Sequence, residues 1–290
     1  MDGGIETLRF ALDSQDLLVG SQSSLTVWNL AEAKVRRSVL TRGDNWAFMD
    51  VEFSRDRHWM ATASADKMNT VRLWDVANGT LARLFQARAS AYTLALSPDG
   101  GWLFAGGGDG LQGWNTSKTE TAPFVLLPDA GAADHAIAFS PDGSLFAWST
   151  AAGHLEVRDF LPSGKIAGSA RTFKCGGQKL YAISFSPDGL AVAAGGDDGS
   201  VRVWDLKSGQ LIRTFLSSGP IRDLEFDASR RRLVSGGFGG DLWEVASGTK
   251  LAHLEDPGDS RICVAISPSG EWVATNDGRR VHVRRVGSLN

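Results

Sequence analysis

Histidine, cysteine and carboxylate side chains are the first candidates for chemistry, but their spacing in this chain forms no catalytic or metal-binding pattern. The five histidines are far apart, at His58, His135, His154, His253 and His282. None of them has a second histidine or a cysteine at metal-ligand spacing, and two cysteines are too few for a structural zinc site. The chain also has no Gly-x-Ser-x-Gly elbow and no phosphate loop ending in Gly-Lys-Ser/Thr. The sequence therefore predicts a protein that is not an enzyme and binds no cofactor or metal.

Two short motifs resemble ligand-binding loops but favour structural turns. Residues 108–113 match Gly-x-Gly-x-x-Gly, yet no helix is predicted after them to bring its N-terminus to a phosphate. Residues 197–200 resemble half a calcium loop and lack the later bidentate glutamate. We interpret both motifs as turns between strands.

Composition limits the class of protein. The chain has 290 residues with a net charge of −3, so no overall field favours nucleic acid or acidic membranes. Hydrophobic residues at 42% and charged residues at 22% are typical of a soluble globular protein. The first residues have neither the basic nor the apolar segment of a secretion signal, and no apolar run approaches the roughly 18 residues of a membrane span. We expect a cytoplasmic protein that does not contact a membrane.

A hairpin-turn motif recurs along the whole chain. Ser-Pro-Asp-Gly occurs at 97–100, 140–143 and 186–189, with a near copy, Ser-Pro-Ser-Gly, at 267–270. Proline presets φ, aspartate bonds back to the backbone and glycine tolerates a positive φ, so each tetrapeptide closes a hairpin. With three degenerate copies, the apolar residues before these turns are Leu12, Phe53, Leu96, Phe139, Phe185, Phe226 and Ile266. These anchors lie 40 to 46 residues apart, which predicts seven repeated units.

A second landmark keeps the same phase. Five tryptophans are each followed by an acid or amide: Trp28, Trp74, Trp114, Trp204 and Trp243. Arg158 and Arg284 stand at this position in units four and seven. A tight turn before the same strand carries an aspartate in four units: Asp66, Asp109, Asp198 and Asp277. Short alternating segments separate the landmarks and none has a sustained 3.6-residue period, so we predict an all-β chain.

This combination of repeat length, hairpin turns and Trp–acid/amide pairs resembles the WD-repeat family over essentially all 290 residues. The resemblance implies one domain, residues 1–290, folded as a seven-bladed β-propeller of four-stranded antiparallel blades. The predicted blades are 5–40, 46–86, 90–127, 133–174, 179–216, 220–255 and 260–286. It also implies structural roles for the five tryptophans and the four turn aspartates.

The chain departs from the family pattern in one respect. Family members usually carry Gly-His about nine residues before the anchor, and that histidine bonds the turn aspartate and the tryptophan of its blade. Here Gly43-Asp44 stands in that place in unit two, and the other units show neither residue at that spacing. We therefore predict that the full side-chain network does not form and that burial of the tryptophan rings stabilises the blades.

The last blade is predicted to be one strand short. Unit one begins with its innermost strand, and unit seven ends with its third strand, 281–285. We expect neither terminus to supply a further strand, which gives 27 strands. The uncovered edge could pair with a strand from a partner, from a second copy or from another part of the natural protein. Its basic residues could instead protect it from aggregation: Arg279, Arg280, His282, Arg284 and Arg285.

Six residues precede the anchors by four to seven positions: Trp46, Tyr92, His135, Tyr181, Arg222 and Arg261. The resemblance implies that they lie near one rim of the propeller channel, where aromatic residues and arginine favour partner binding. Some of them could instead cap strands or line the channel. Phe238 lies among four glycines at 236–240 and either projects from the same rim or folds back over its blade. We predict that these seven residues contribute to a partner-binding surface.

The resemblance implies a non-catalytic protein-interaction scaffold, or a sensor and recruitment module, that binds a protein or peptide on the rim within a larger regulatory assembly. One alternative is a propeller enzyme of the metal-dependent lactonase or hydrolase kind, for which only Asp134 and His135 are candidate ligands. Another is nucleic-acid binding through Arg222, Arg261 and the basic last blade. The net charge and the absence of motifs favour the interaction module over both.

Overall fold

The structure is a computed structural model. It describes residues 4–11, 14–21, 24–40, 48–64, 69–108, 110–123, 125–127, 136–254 and 263–289. Within these ranges the chain forms seven antiparallel sheets, which we call blades 1 to 7 in chain order. The chain divides into two compact units, one of residues 1–42 with 181–290 and one of residues 43–180.

The unit of residues 43–180 contains blades 2, 3 and 4, each with four strands in chain order. Blade 2 consists of β5 (Phe48–Phe53), β6 (Trp59–Ser64), β7 (Thr70–Asp75) and β8 (Thr80–Gln86). Blade 3 consists of β9 (Ala91–Leu96), β10 (Trp102–Gly107), β11 (Gly110–Asn115) and β12 (Val125–Leu127). Blade 4 consists of β13 (Ile137–Phe139), β14 (Leu145–Ser149), β15 (His154–Phe160) and β16 (Ile166–Lys174).

The other unit contains blades 5, 6, 7 and 1. Blade 1 consists of β1 (Ile5–Phe10), β2 (Asp16–Ser21), β3 (Ser24–Asn29) and β4 (Lys34–Leu40). Blade 5 consists of β17 (Leu180–Phe185), β18 (Ala191–Gly196), β19 (Ser200–Asp205) and β20 (Leu211–Leu216). Blade 6 consists of β21 (Ile221–Phe226), β22 (Arg232–Gly237), β23 (Gly239–Glu244) and β24 (Lys250–Leu254). Blade 7 consists of β25 (Val264–Ile266), β26 (Trp272–Asn276) and β27 (Val281–Arg285).

The repeated hairpin turns join the first and second strands of their blades. In blade 3 the Ser97 hydroxyl donates to the Asp99 carboxylate and accepts the N–H of Trp102 at 2.8 Å. Gly100 adopts a φ of +71°, which is costly for a residue with a Cβ. Blades 4 and 5 repeat the same bonds at 140–145 and 186–191.

One predicted anchor is wrong. β1 ends at Phe10, and the N–H of Ala11 bonds the carbonyl of Asp16 as Ser54 bonds Trp59 in blade 2. Phe10 is therefore the strand-final apolar residue of unit one, and the predicted anchor Leu12 lies outside the described residues. The turn of unit one has neither proline nor glycine, so the sequence pattern alone places the anchor two positions beyond the end of the strand.

Apolar side chains fill the space between neighbouring blades of each unit. In the unit of residues 43–180, Phe85 and Leu94 belong to the cluster between blades 2 and 3, and Phe104 and Phe146 to that between blades 3 and 4. In the other unit, comparable clusters join blade 5 to 6, blade 6 to 7 and blade 7 to 1. Each blade is thus stabilised by burial against a neighbour, as expected for a repeat architecture.

Carboxylates on the first strands connect neighbouring blades. Asp50 Oδ2 on β5 accepts the N–H of Leu94 on β9 at 2.7 Å. Asp223 Oδ2 on β21 accepts the N–H of Val264 on β25 at 3.1 Å, and Glu225 Oε2 accepts that of Ile266 at 3.1 Å. These bonds satisfy backbone donors that the sheets themselves leave unpaired.

Blade 7 has three strands within the described residues, as predicted. In five other blades an acid or amide after the tryptophan holds the turn that leads to the fourth strand, as Asp75 Oδ1 does by accepting the N–H of Asn78 at 2.9 Å. The corresponding residues are Asn29, Asn115, Asp205 and Glu244. Arg285 stands there in blade 7, and residues Val286–Ser288 form a short 3₁₀ helix instead of a turn back.

Candidate interaction site

The structure describes four of the seven predicted binding residues. Tyr92 lies in the unit of residues 43–180, whereas Tyr181, Arg222 and Phe238 lie in the other unit. Outside the described residues lie Trp46, Asp66, Asp109, Asp134, His135 and Arg261. The predicted roles of these six residues stay predictions.

A β-bulge positions two of the four described residues. The register between β9 and β10 skips Tyr92, and the register between β21 and β22 skips Arg222. A bulge re-aims the side chain of the unpaired residue, and Tyr92 is 44% exposed. Glycine faces both bulges: an added Cβ at Gly107 or Gly237 would lie 1.9 Å or 1.8 Å from the carbonyl oxygen of the residue just before the first strand.

Tyr181, Asp197 and Arg222 form one contact group, which we call the Tyr181 cluster. The Arg222 guanidinium lies over the Tyr181 ring, 3.5 Å from its centroid, in a cation–π contact. The Tyr181 hydroxyl donates to Asp197 Oδ2 at 3.1 Å, and Arg222 Nη2 lies 3.7 Å from Asp197 Oδ1. All three side chains are partly exposed and hold one another in place. The sequence pattern indicates only a turn at Asp197.

Phe238 projects into solvent at the same end of blade 6 as Arg222. It follows Gly237, which pairs with Ile221 beside the Arg222 bulge. Phe238 is 59% exposed. Of the two predicted orientations, the structure shows the projecting one.

The landmark tryptophans lie inside the blades, where two of them donate a hydrogen bond to a hydroxyl on the second strand. Trp74 Nε1 donates to Thr62 Oγ1 at 3.0 Å, and Trp243 Nε1 donates to Ser235 Oγ at 3.0 Å. Trp114 instead donates to the carbonyl of Thr121 at 2.9 Å. Trp114, Trp204 and Trp243 are fully buried, Trp74 is nearly so and Trp28 is partly buried.

Arginine replaces the landmark tryptophan in blades 4 and 7 and keeps part of its contacts. In blade 7, Arg284 Nη1 donates to Thr275 Oγ1 at 2.8 Å, and Thr275 occupies the position that Thr62 has in blade 2. In blade 4 that position is Trp148, and the Arg158 guanidinium lies over its ring at 5.5 Å.

The two turn aspartates among the described residues have side-chain partners in spite of the missing Gly-His. Asp198 Oδ2 accepts from Arg202 at 2.7 Å, and Asp277 Oδ2 lies 3.3 Å from His282 Nε2. The N–H groups of Arg280 and Arg279 hold the pKa of Asp277 below its ordinary value. Asp277 thus has a histidine partner on the third strand of its own blade, and the prediction that the full His–Asp–Trp network does not form stays a prediction.

Blade 6 contains a fully buried carboxylate on its third strand, that of Asp241. Asp241 Oδ1 lies 2.9 Å from Lys250 Nζ and 2.8 Å from His253 Nδ1, and Oδ2 accepts the Ser217 hydroxyl. Burial alone would raise the pKa of Asp241, but the bonds from Ser217, His253 and Lys250 outweigh it and hold the pKa below its ordinary value. The family pattern places the histidine before the first strand, whereas His253 lies on the fourth, so the pattern does not point to Asp241.

The described part of the chain brings together no group of three or more His, Cys, Asp or Glu side chains suited to a metal ion. Nor does any helix within the described ranges combine the length and hydropathy of a membrane span.

Comparison with known proteins identifies the repeat. The family model described as WD domain, G-beta repeat matches residues 79–111 and 167–205. The WD repeat-containing protein SL1-17 of Schistosoma mansoni is 25% identical over 203 residues, which cover 69% of this chain and 64% of that protein. The eukaryotic translation initiation factor 3 subunit I of Emericella nidulans is 26% identical over 259 residues, 84% of this chain and 75% of that protein. The chain spans 64%, 41% and 40% of the length of three of its curated relatives.

A solved structure supports the same fold. The Cps50 (Swd1) β-propeller domain of Myceliophteria thermophila matches 98% of this chain and 98% of its own, with a TM-score of 0.81 and 17% sequence identity. The predicted fold class, an all-β seven-bladed propeller with a three-stranded last blade, is confirmed. Its repeats and its relatives support the WD-repeat β-propeller family.

Proposed function

We propose that this chain is a non-catalytic interaction module that recruits or senses a protein or peptide partner within a larger, cytoplasmic regulatory assembly. WD-repeat relatives support a scaffold role, and one of them is named as a subunit of a translation initiation factor. The Tyr181 cluster and Phe238 form part of the contact surface in this proposal.

The observation that carries the proposal is the pre-organised Tyr181 cluster. Exposed arginine and tyrosine side chains normally lose rotamer entropy when a partner immobilises them. Arg222 is already stacked on Tyr181, and both are tethered by Asp197, so this cost is reduced before binding. Tyrosine and arginine are also the residue types that dominate interface hot spots.

The chemistry of the surface favours a protein partner over nucleic acid. The charge of Arg222 faces the Asp197 carboxylate, which would repel a phosphate. Phe238 offers a largely exposed ring that suits an apolar cavity of a partner. A partner with an apolar pocket beside an acceptor group would fit both features.

The test compares the proteins that co-purify with wild type and with two variants, Tyr181→Ala/Arg222→Ala and Phe238→Ser, by quantitative mass spectrometry from the source cells. We expect a discrete set of proteins to be recovered with wild type and lost with both variants. Leu211→Ser is the matched control, because Leu211 is 52% exposed on the outer strand β20.

Thermal unfolding of each variant checks that the fold survives. Recovery of the same proteins, in the same amounts, by wild type and both folded variants would show that this surface is not the binding site. Loss of the proteins in the Leu211→Ser control would likewise contradict the assignment.

A further inference from the structure

We propose that the outer edge of β27 is a second docking site, separate from the Tyr181 cluster. It takes an extended, acidic segment of a partner polypeptide as the fourth strand of blade 7. That segment carries one phenylalanine or leucine that packs over Val281.

The other blades show what a fourth strand contributes. In blade 2, Phe85 of β8 pairs with Val71 of β7, and both side chains are fully buried. Blade 5 repeats this with Phe215 and Val201, as blade 4 does with Phe173 and Leu155. The remaining side chains of these outer strands are mostly exposed. A fourth strand therefore supplies backbone hydrogen bonds and a single apolar side chain.

The third strand of blade 7 has the apolar residues that a fourth strand covers in the other blades. Register places Val281 and Val283 where Val201 and Val203 lie in blade 5. Val201 and Val203 are fully buried, whereas Val281 and Val283 are only partly buried. The difference matches the apolar surface that a fourth-strand phenylalanine covers in blades 2, 4 and 5.

The chain that follows β27 does not return along this edge. The N–H of Val286 bonds the carbonyl of Glu271 at 2.7 Å. Val286 is buried in the cluster shared by blades 6 and 7, and Leu289 packs against the same cluster. Within the described residues, β27 pairs with β26 alone. The occupant is therefore a segment other than residues 286–289.

The positive charge beside the β27 edge favours an acidic segment over a second copy of this chain. Arg279, Arg280 and Arg285 are exposed beside the edge, and no carboxylate of the described residues forms an ion pair with them. A second copy pairing through β27 would place these arginines against their own counterparts, and facing like charges destabilise a strand pair. An acidic strand meets opposite charge instead, which also speeds its encounter with the edge.

The probe is a fluorescent nine-residue peptide with glutamates at the outward positions and one phenylalanine placed opposite Val281. Its binding to the full chain is measured by anisotropy. Two further peptides have the same side chains but carry N-methyl groups on alternate amides, in the two possible phases. Alternate amides of an antiparallel strand face the same neighbour, so strand addition predicts that one phase abolishes binding and the other does not.

Protein variants test the side chains. We expect Val281→Ser, and replacement of the peptide phenylalanine by alanine, each to weaken binding about tenfold or more. Arg280→Glu/Arg285→Glu is expected to weaken it by a similar factor and to reduce its salt dependence. Val35→Ser is the matched control, because Val35 is 45% exposed on the outer strand β4, and it leaves binding unchanged.

Equal binding of both N-methylated peptides, no binding of the parent peptide, or wild-type binding by folded Val281→Ser would each overturn the proposal. Sedimentation of the protein without peptide tests whether a second copy of the chain occupies the edge. A dimer that dissociates in the Val281→Ser variant would assign the edge to a second copy. Tyr181→Ala/Arg222→Ala is expected to bind the peptide as wild type does, so this test does not depend on the proposed function.

Discussion

Removing the hydrogen bond between Trp74 and Thr62 gives a direct measure of what the landmark tryptophan contributes to a blade. The indole N–H and the threonine hydroxyl are 3.0 Å apart, and the two residues are 9% and 1% exposed. Neither group can therefore replace its partner with bulk water. A double-mutant cycle of Trp74→Phe and Thr62→Val separates the hydrogen bond from the burial of the ring.

The expected free energies follow from burial. Thr62→Val keeps the shape of the side chain but leaves the indole N–H unsatisfied, which costs about 1–3 kcal/mol. Trp74→Phe leaves the hydroxyl unsatisfied at a similar cost and also removes buried ring area, for a total of about 2–4 kcal/mol. The double variant has no unsatisfied polar group. We therefore expect its loss of unfolding free energy to be smaller than the sum of the two single losses by about 1 kcal/mol or more.

Urea unfolding followed by far-ultraviolet circular dichroism measures the four free energies of unfolding. Equal denaturant slopes for the four proteins are the control that the unfolded states are comparable. A coupling energy within about 0.3 kcal/mol of zero would refute the assigned role of the hydrogen bond. The tryptophan would then stabilise its blade through packing alone.

Two further predictions concern blade 6. Because the pKa of Asp241 in the folded protein lies below its ordinary value of 3.8, its stabilising contribution is present above that pH and is lost as pH falls through the lowered folded value. Urea unfolding at pH 7 and pH 3 should show a stability gap between wild type and Asp241→Asn that shrinks in acid; a gap independent of pH would contradict this. Gly237→Ala should cost about 1–3 kcal/mol, because its Cβ would lie 1.8 Å from the Pro220 carbonyl oxygen. Gly287→Ala is the control, because no atom lies within 4 Å of an added Cβ there, and it should stay within about 0.5 kcal/mol of wild type. Thermal unfolding measures both variants, and equal losses of stability in the two would refute the close approach at Gly237.

The sequence was informative about the fold because repetition averages out local ambiguity. A degenerate turn such as that before Trp59 is hard to recognise alone. Its regular spacing from the Ser-Pro-Asp-Gly turns nevertheless shows where it lies in the sequence. The same dependence explains the misplaced anchor in unit one, since Leu12 follows Phe10 by two residues and both are apolar. Turn chemistry, not hydrophobicity, distinguishes the two positions.

The candidate site was less predictable, because its geometry depends on side chains that meet only after folding. Tyr181 and Arg222 were expected on one surface from their spacing to the anchors, but their contact is set by Asp197, 16 residues beyond Tyr181. The bulge at Arg222 had a signal that could have been read. Small residues end the second strand wherever the register shows this bulge: serine in blades 1 and 2, and glycine in blades 3 and 6.

Blades 4 and 7 separate two roles that the Trp–acid/amide pair combines in the other blades. Both have arginine in place of tryptophan, and both keep a contact with the second strand through that arginine. Blade 4 nevertheless has a fourth strand, and its Asp159 pairs with the fourth-strand residue Arg171 at 3.6 Å. Blade 7 has Arg285 in place of the acid and no fourth strand in the described residues. The first residue of the pair therefore contacts the second strand in blades 2, 4, 6 and 7, whereas the second residue serves the connection to the fourth strand where that strand is present.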